Sequence, residues 1–506
     1  MLKNNLKITT YAIIVSILNF FLFHFPFFKF VIENVDYSTN NGIAIIVSLV
    51  ILMLLLNTFV FYLLVNVFRK AGRYILVLFF VINSIAIYFV NTYSVIIDGS
   101  MIGNILNTNY EESSSFFSWK LVLYFLILGV LPSIFVMNQS LVLESNKKFL
   151  KKTGIVFLIT FIFVFANASN WLWIDKNSKK LGGLAMPWSY TVNTIIFFKQ
   201  KYEKNQKEIP LPNATVKNSS KAVMVLVIGE SSRSQNFSLY GYSKNTNPLL
   251  SKTENLTHYN ATSCATYTTA GLKCILEHKN TSDLYEILPN YLYRNNVDVI
   301  WRTTNWGEPP IHIKKYETKE DLKVKYKNAD PNYDEILLSN LTDEIKKSKS
   351  NKILIILHTN TSHGPTYSKK YPKEFEKFSP VCNSVELGKC TQTELMNAYD
   401  NTIVYTDYLL HKTIEDLKSL KDYKSSLIFV SDHGESLGEK NLYMHGVPMS
   451  IAPKEQYEIP FIVWVSDNQQ KLKPFSSVTQ NSVFHSVLKF LDVQSPIYQE
   501  DLNIYK

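Results

Sequence analysis

Two textures alternate along the chain. Through the first third, long apolar runs are separated by short charged loops. A spanning helix needs about 20 mostly apolar residues. The runs at residues 6–32, 42–67, 74–95, 119–137 and 154–168 predict five transmembrane helices. The first is too long, and followed by too many others, to be a cleaved signal peptide. The last is short, and Trp171 and Trp173 just beyond it suit a membrane interface. The amphipathic stretch 188–199 predicts an interfacial helix. Residues 199–220, rich in Lys, Asn and Pro, read as a linker. From residue 221 short Val/Ile/Leu-rich runs take over, at 222–228, 297–301, 352–357, 426–430 and 461–465. They are too short for helices and predict buried strands of a mainly parallel sheet. Stretches between them, such as 395–417, carry helical periodicity, so this part is an α/β layered domain. The expected organisation is a transmembrane domain of five helices at 1–171, an interfacial helix and linker at 172–220, and a separate domain at 221–506.

Charge orients these parts. Lys3 and Lys7, then Arg69, Lys70 and Arg73, then Lys147, Lys148, Lys151 and Lys152 fall in alternate loops, while the intervening loops carry Glu33, Asp36, Asp98, Glu111 and Glu112. The positive-inside rule puts the basic loops in the cytoplasm. Everything after about residue 172 is then expected outside the inner membrane. The net charge of +10 suits an anionic membrane rather than nucleic acid, because the basic residues cluster beside apolar segments and no nucleic-acid motif is present. All four cysteines follow residue 260, with no C-x-x-C spacing. An even number in an extracytoplasmic domain predicts two local disulfides, Cys264–Cys274 and Cys382–Cys390. In the outer loop 98–118, Asn104, Thr108 and Glu112 recur at every fourth position and would share one helix face. That strip is either the solvated side of an interfacial helix or the lining of a lipid headgroup site.

The chemistry gathers at strand ends. The run 222–228 is followed by Gly229-Glu230-Ser231-Ser232, and the run 352–357 by His358 and Ser362-His363-Gly364-Pro365. The run 426–430 is followed by Ser431-Asp432-His433-Gly434-Glu435, with His445 twelve residues after His433. In open α/β sheets the carboxyl ends of the strands carry the site. Glu230, His363, Asp432 and His433 are therefore expected on one edge. Carboxylates and imidazoles without cysteine partners suit zinc or a similar divalent cation. A nucleophile is available in Ser263-Cys264-Ala265-Thr266-Tyr267-Thr268-Thr269, where coordination to a metal would activate a hydroxyl. Residue chemistry alone leaves Thr266, Thr268 and Thr269 open, and each could equally be a helix cap.

These motifs resemble the phosphoethanolamine transferases that decorate lipid A and related surface sugars, a family that includes the mobile colistin resistance enzymes. The resemblance runs over nearly the whole chain. It is carried by Ser431-Asp-His-Gly-Glu-Ser-Leu-Gly-Glu439 with Tyr443-Met-His-Gly446, by Gly229-Glu-Ser-Ser-Arg233 with Leu239-Tyr-Gly-Tyr242, and by Ser362-His-Gly-Pro365 with Tyr399-Asp-Asn401. It implies an alkaline-phosphatase/sulfatase-like catalytic domain in the periplasm of a bacterium. It implies Thr268 as the nucleophile, zinc on Glu230, Thr268, Asp432 and His433, and His363 and His445 on the transferred phosphate or a second zinc. It also implies phosphatidylethanolamine as donor, with Asn104, Thr108 and Glu112 at its headgroup, and lipid A, a core sugar or another surface molecule as acceptor. Two segments depart from the family pattern: Ala265 stands where a glycine is usual, and residues 302–310 replace a stretch that often carries a cysteine pair and a lysine. The rival readings are a phosphoglycerol transferase or sulfatase of the same superfamily, and a non-catalytic membrane scaffold that binds lipid.

Overall fold

The computed structural model describes residues 5–108, 110–166, 171–203, 208–217, 220–467 and 471–506 of the chain. It divides into two compact units, Met1–Gln200 and Lys201–Lys506.

In the first unit, among the described residues, Asn40–Phe68, Lys70–Tyr93 and Trp119–Asn138 are helices long and apolar enough to cross a membrane. The first expected span is broken: Ile8–Phe23 and Phe25–Asn34 meet at 64° and make a fourth span only if taken together. Pro26 explains the break. It sits in the first turn of the second helix, where its missing N–H leaves nothing unpaired, whereas inside a continuous helix its ring would press on the carbonyl four residues back. The expected fifth span, 154–168, begins within the helix Asn146–Ala166, and its last residues, 167–168, lie outside the described set. Among the described residues, three of the five expected spans are thus met by single helices and a fourth by the bent pair.

The helix expected at 188–199 runs over Trp188–Glu203. Its start is tied to the spans by polar contacts, as apolar surroundings require. Trp188 Nε1 donates to Asn57 Oδ1 at 2.7 Å, Tyr190 to Asn83 Oδ1 at 2.9 Å, and Asn83 Nδ2 to Asn19 Oδ1 at 2.8 Å. The strip of Asn104, Thr108 and Glu112 does not lie on one helix. The helix Gly99–Asn107 stops where the Thr108 backbone N–H and hydroxyl both donate to the Asn104 carbonyl at 2.8 Å, and a second helix spans Tyr110–Ser115. A threonine hydroxyl that bonds the backbone four residues back competes with helix continuation. Glu112 falls in the second helix, and its side chain is outside the described set.

The second unit is built on an eight-stranded sheet: β1 Ala222–Gly229, β2 Leu256–Thr262, β3 Asp298–Thr303, β4 Lys315–Glu317, β5 Lys352–His358, β6 Lys424–Ser431, β7 Glu458–Val465 and β8 Ser477–Thr479. Their spatial order is β8-β2-β7-β6-β1-β5-β3-β4. β1 pairs in parallel with β5 and β6, and β3 with β5 and β4, while β7 runs antiparallel to β6 and β2. All residues of β1 and β5 are buried, which is why both read as unbroken apolar runs. In register, Ile228 faces His358 and Gly229 faces Ser431, so three strands end together at one edge. Much of the expected linker belongs to this unit. Leu211 is buried in its core, its N–H donates to Glu286 Oε2 at 3.0 Å, and Thr215–Val216 pairs antiparallel with Val493–Gln494. Disulfides join Cys264 to Cys274 and Cys382 to Cys390, as the even cysteine count suggested.

Candidate active site

Glu230 is the first residue past β1, and Asp432 and His433 the first past β6. All three are fully buried or nearly so. The strand ends are pinned before any side chain acts: the Asp432 N–H donates to Gly229 O at 3.0 Å. Asp432 Oδ1 accepts from the N–H groups of His433 at 2.7 Å and Ser231 at 3.0 Å. Ser231 adopts positive φ, turning the chain back over the carboxylate. One Asp432 oxygen is therefore committed to backbone. The other, Oδ2, is buried with no hydrogen-bond partner. His433 Nδ1 lies 2.8 Å from Gly434 O and must donate to it, which leaves Nε2 as a lone-pair donor. That nitrogen stands 3.3 Å from Asp432 Oδ2 and 3.5 Å from Glu230 Oε1.

Thr268 opens the helix Thr268–Leu276 after the extended Tyr267, and its side chain is buried among these groups. Its Oγ1 lies 3.3 Å from His433 Nε2 and donates to Glu230 Oε2 at 3.4 Å. The Thr266 hydroxyl is committed elsewhere, to Val447 O at 2.6 Å. The helix approaches closely because Gly271 has no side chain: a Cβ there would lie 2.3 Å from the Asp432 carbonyl oxygen. His445 completes the cluster. Ligand atoms of Glu230, His433 and His445 all lie within 4.8 Å of one another. The His445 ring is 4.3 Å from that of His433 and 5.7 Å from that of His363, centroid to centroid. The residues expected from the strand-end pattern, with His445, are thus brought together.

Electrostatics agree with a cation at this point. Burial alone would raise Glu230, but the facing His433, His363 and His445 outweigh it and hold its carboxyl well below the usual range. Burial, and next the Glu230 charge, push Asp432 well above that range. Burial, and next His445, push His433 down to about 3, so its imidazole is neutral and suited to ligation. Two buried carboxylates and a neutral imidazole beside an unpartnered carboxylate oxygen form a donor set that a divalent cation fits, since only a cation lets both acids ionise there.

One residue of this cluster escapes a reading based on titratable groups. Asn305, in the 302–310 segment after β3, donates its amide to Glu230 Oε2 at 2.7 Å and to Thr359 O at 2.9 Å. The segment is anchored below by Glu308, 2.9 Å from His358 Nδ1 at the end of β5. At Gly307, with φ of 97°, it passes directly over Thr268 and Thr269. The fold brings it there, because β3 ends at the same edge as β5.

The sheet and its carboxyl-edge site define a sulfatase-type α/β domain, and residues 222–493 match the Sulfatase family. Residues 45–202 match the family described as phosphoethanolamine transferase EptA/EptB. The phosphoethanolamine transferase EptA of Helicobacter pylori is 41% identical over 503 residues, covering 96% of this chain and 94% of that one. The phosphatidylethanolamine transferase Mcr-1 of Escherichia coli is 28% identical over 502 residues, covering 92% of each. Among solved structures, the integral membrane lipooligosaccharide phosphoethanolamine transferase A of Neisseria meningitidis aligns with a TM-score of 0.89 at 25% identity over 99% of both chains. The C-terminal periplasmic domain of EptC from Campylobacter jejuni aligns at 35% identity with a TM-score of 0.53, covering 59% of this chain and 97% of that one. The chain belongs to the EptA/Mcr family of phosphoethanolamine transferases, within the sulfatase (alkaline phosphatase) superfamily.

Proposed function

We propose that this enzyme takes phosphoethanolamine from phosphatidylethanolamine onto Thr268 and passes it to lipid A, a core sugar or another surface acceptor, with the second unit in the periplasm. The observation that carries the reading is the Thr268 hydroxyl, buried and within 3.4 Å of both Glu230 and His433. Zinc is the cation assigned to the site, on Glu230, Thr268, Asp432 and His433, and when bound it supplies Lewis-acid chemistry that lowers the hydroxyl pKa and offsets phosphoryl charge. Thr268 Oγ attacks phosphorus in line, the P–O bond to diacylglycerol breaks, and the proton given up by the Thr268 hydroxyl ends on the departing diacylglycerol oxygen. A phosphate or hydroxyl oxygen of the acceptor then attacks the phospho-threonine, and Thr268 is released. His363 and His445 are assigned to the oxygens of the transferred phosphate or to a second zinc. Asn104, Thr108 and Glu112 are assigned to the donor headgroup. The acceptor class rests on relatives whose names specify it, such as the Kdo(2)-lipid A phosphoethanolamine 7''-transferase of E. coli. An ethanolamine cap adds a positive amine and so weakens attraction of cationic peptides.

The test is an adduct. Protein incubated with phosphatidylethanolamine alone is expected to gain one phosphoethanolamine on the peptide bearing Thr268, read by mass spectrometry, and Thr268→Ala is expected to abolish transfer with its fold intact. An adduct on Thr266 or Thr269, or wild-type transfer by Thr268→Ala, would overturn the assignment. Mass spectra of envelope lipids with and without the active protein identify the acceptor.

A further inference from the structure

Gln480 lies in the turn between β8 and the helix Ser482–Phe490 and is buried. Its Nε2 donates to the carbonyls of Ser431 at 3.0 Å and Asp432 at 2.7 Å. Its Oε1 accepts from the Cys264 N–H at 3.0 Å. A primary amide has two hydrogens and an acceptor oxygen, so all three bonds form at once, and neither a carboxylate nor an apolar side chain could make them. The next residue continues the grip: Asn481 Nδ2 donates to the carbonyls of Cys274 at 3.1 Å and Glu277 at 3.2 Å. One turn therefore holds the backbone at both half-cystines that bracket Thr268, and at the same time the end of β6. Gly271 fits closely against the same Asp432 carbonyl. The spacing between Thr268 and Asp432 thus passes through backbone contacts that Gln480 completes.

We infer that Gln480 is a positioning residue for phosphoethanolamine transfer: its amide fixes the Thr268 loop against the Asp432 strand end, and so fixes the line of attack. This rests on the reading of Thr268 as nucleophile. Gln480 touches neither substrate nor reacting atoms. A displacement of about 1 Å in an attacking group lowers rate by roughly 100-fold, so the effect belongs in kcat rather than in donor binding.

The full-length protein, reconstituted with phosphatidylethanolamine and an envelope-lipid acceptor, provides the test. Gln480→Glu keeps the shape and the acceptor but sets lone pairs against two carbonyls. Gln480→Met keeps the volume and leaves all three backbone groups unpaired. Both are expected to lower kcat by roughly 100-fold while KM for the donor stays within about twofold and bound metal per protein is unchanged. Asn295→Ala calibrates simple destabilisation, since Asn295 caps the Leu288–Arg294 helix and takes the Ala214 N–H at the opposite edge of the sheet. An unchanged kcat, a loss no greater than that of Asn295→Ala, or failure of both Gln480 variants to give folded protein would each overturn the inference, the last two by making Gln480 a residue of the fold. Full-rate Gln480 variants alongside an inactive Thr268→Ala sink this inference alone. An active Thr268→Ala sinks the nucleophile reading and this inference with it.

Discussion

At Gly271 an absent side chain sets a distance. Alanine there would put its Cβ 2.3 Å from the Asp432 carbonyl oxygen and 2.8 Å from the carbonyl carbon, both backbone atoms that cannot swing aside. Such overpacking costs about 1–3 kcal/mol, and here the relief must come from moving the Thr268 helix off the strand end. Gly271→Ala is therefore expected to lower the thermal midpoint by several degrees and to remove nearly all transfer activity. A variant with full activity would show that the helix can shift without disturbing the site. At this scale the sequence was legible where chemistry is titratable. Glu230, His363, Asp432 and His433 stand immediately or shortly after apolar strands, and strand ends are where open sheets place their sites. Asn305 and Gln480 were not legible. They are amides without a titratable signature, and what they do depends on which carbonyls and carboxylates the fold brings to them.

At the scale of elements, the helix Thr268–Leu276 ends on a buried acid. Glu277 is 1% exposed, and the Lys273 ammonium stands 3.1 Å from its Oε2. Burial, against the pull of Lys273, pushes its pKa up to about 7 from 4.5. A negative charge at a helix C-terminus is unfavourable as well. Below 4.5 both folded and unfolded chains hold the proton. Between 4.5 and 7 only the folded chain does, so stability falls as pH rises through that window and stays lower above it. Glu277→Gln removes this contribution. The thermal midpoint of the variant, relative to wild type, is expected to be higher at pH 8 than at pH 5. An equal difference at both pH values would count against the burial argument. Elements were legible in the sequence when buried on both faces, as β1 and β5 are. β2, with alternating exposed residues, and the three-residue β4 and β8 carry too little apolar signal to separate from loops. The break at Pro26 was hidden for the opposite reason, because apolar composition continues across it while the backbone does not.

For the whole molecule, the charge of the short loops predicts that residues beyond the spans lie outside the cytoplasm. A reporter enzyme that folds only outside the cytoplasm, fused after Ser220, is expected to be active, and the same reporter fused in the 69–73 loop inactive. The reverse pattern would invert the topology. The two disulfides agree with the outward placement, since such bonds persist in oxidising compartments.

The sheet also imposes an order in time. β2 pairs with β7, so that Leu256 waits for Trp464, and the Thr268 loop waits for Gln480 near the end of the chain. Contacts so distant in sequence form late, because the intervening loop must close before they contribute. The Cys264–Cys274 bond spans only ten residues and can close long before. Local closure therefore shapes the Thr268 turn while Asp432, His433 and Gln480 are still to be placed. The buried cluster is a late product of folding, complete only once the turn after β8 has docked.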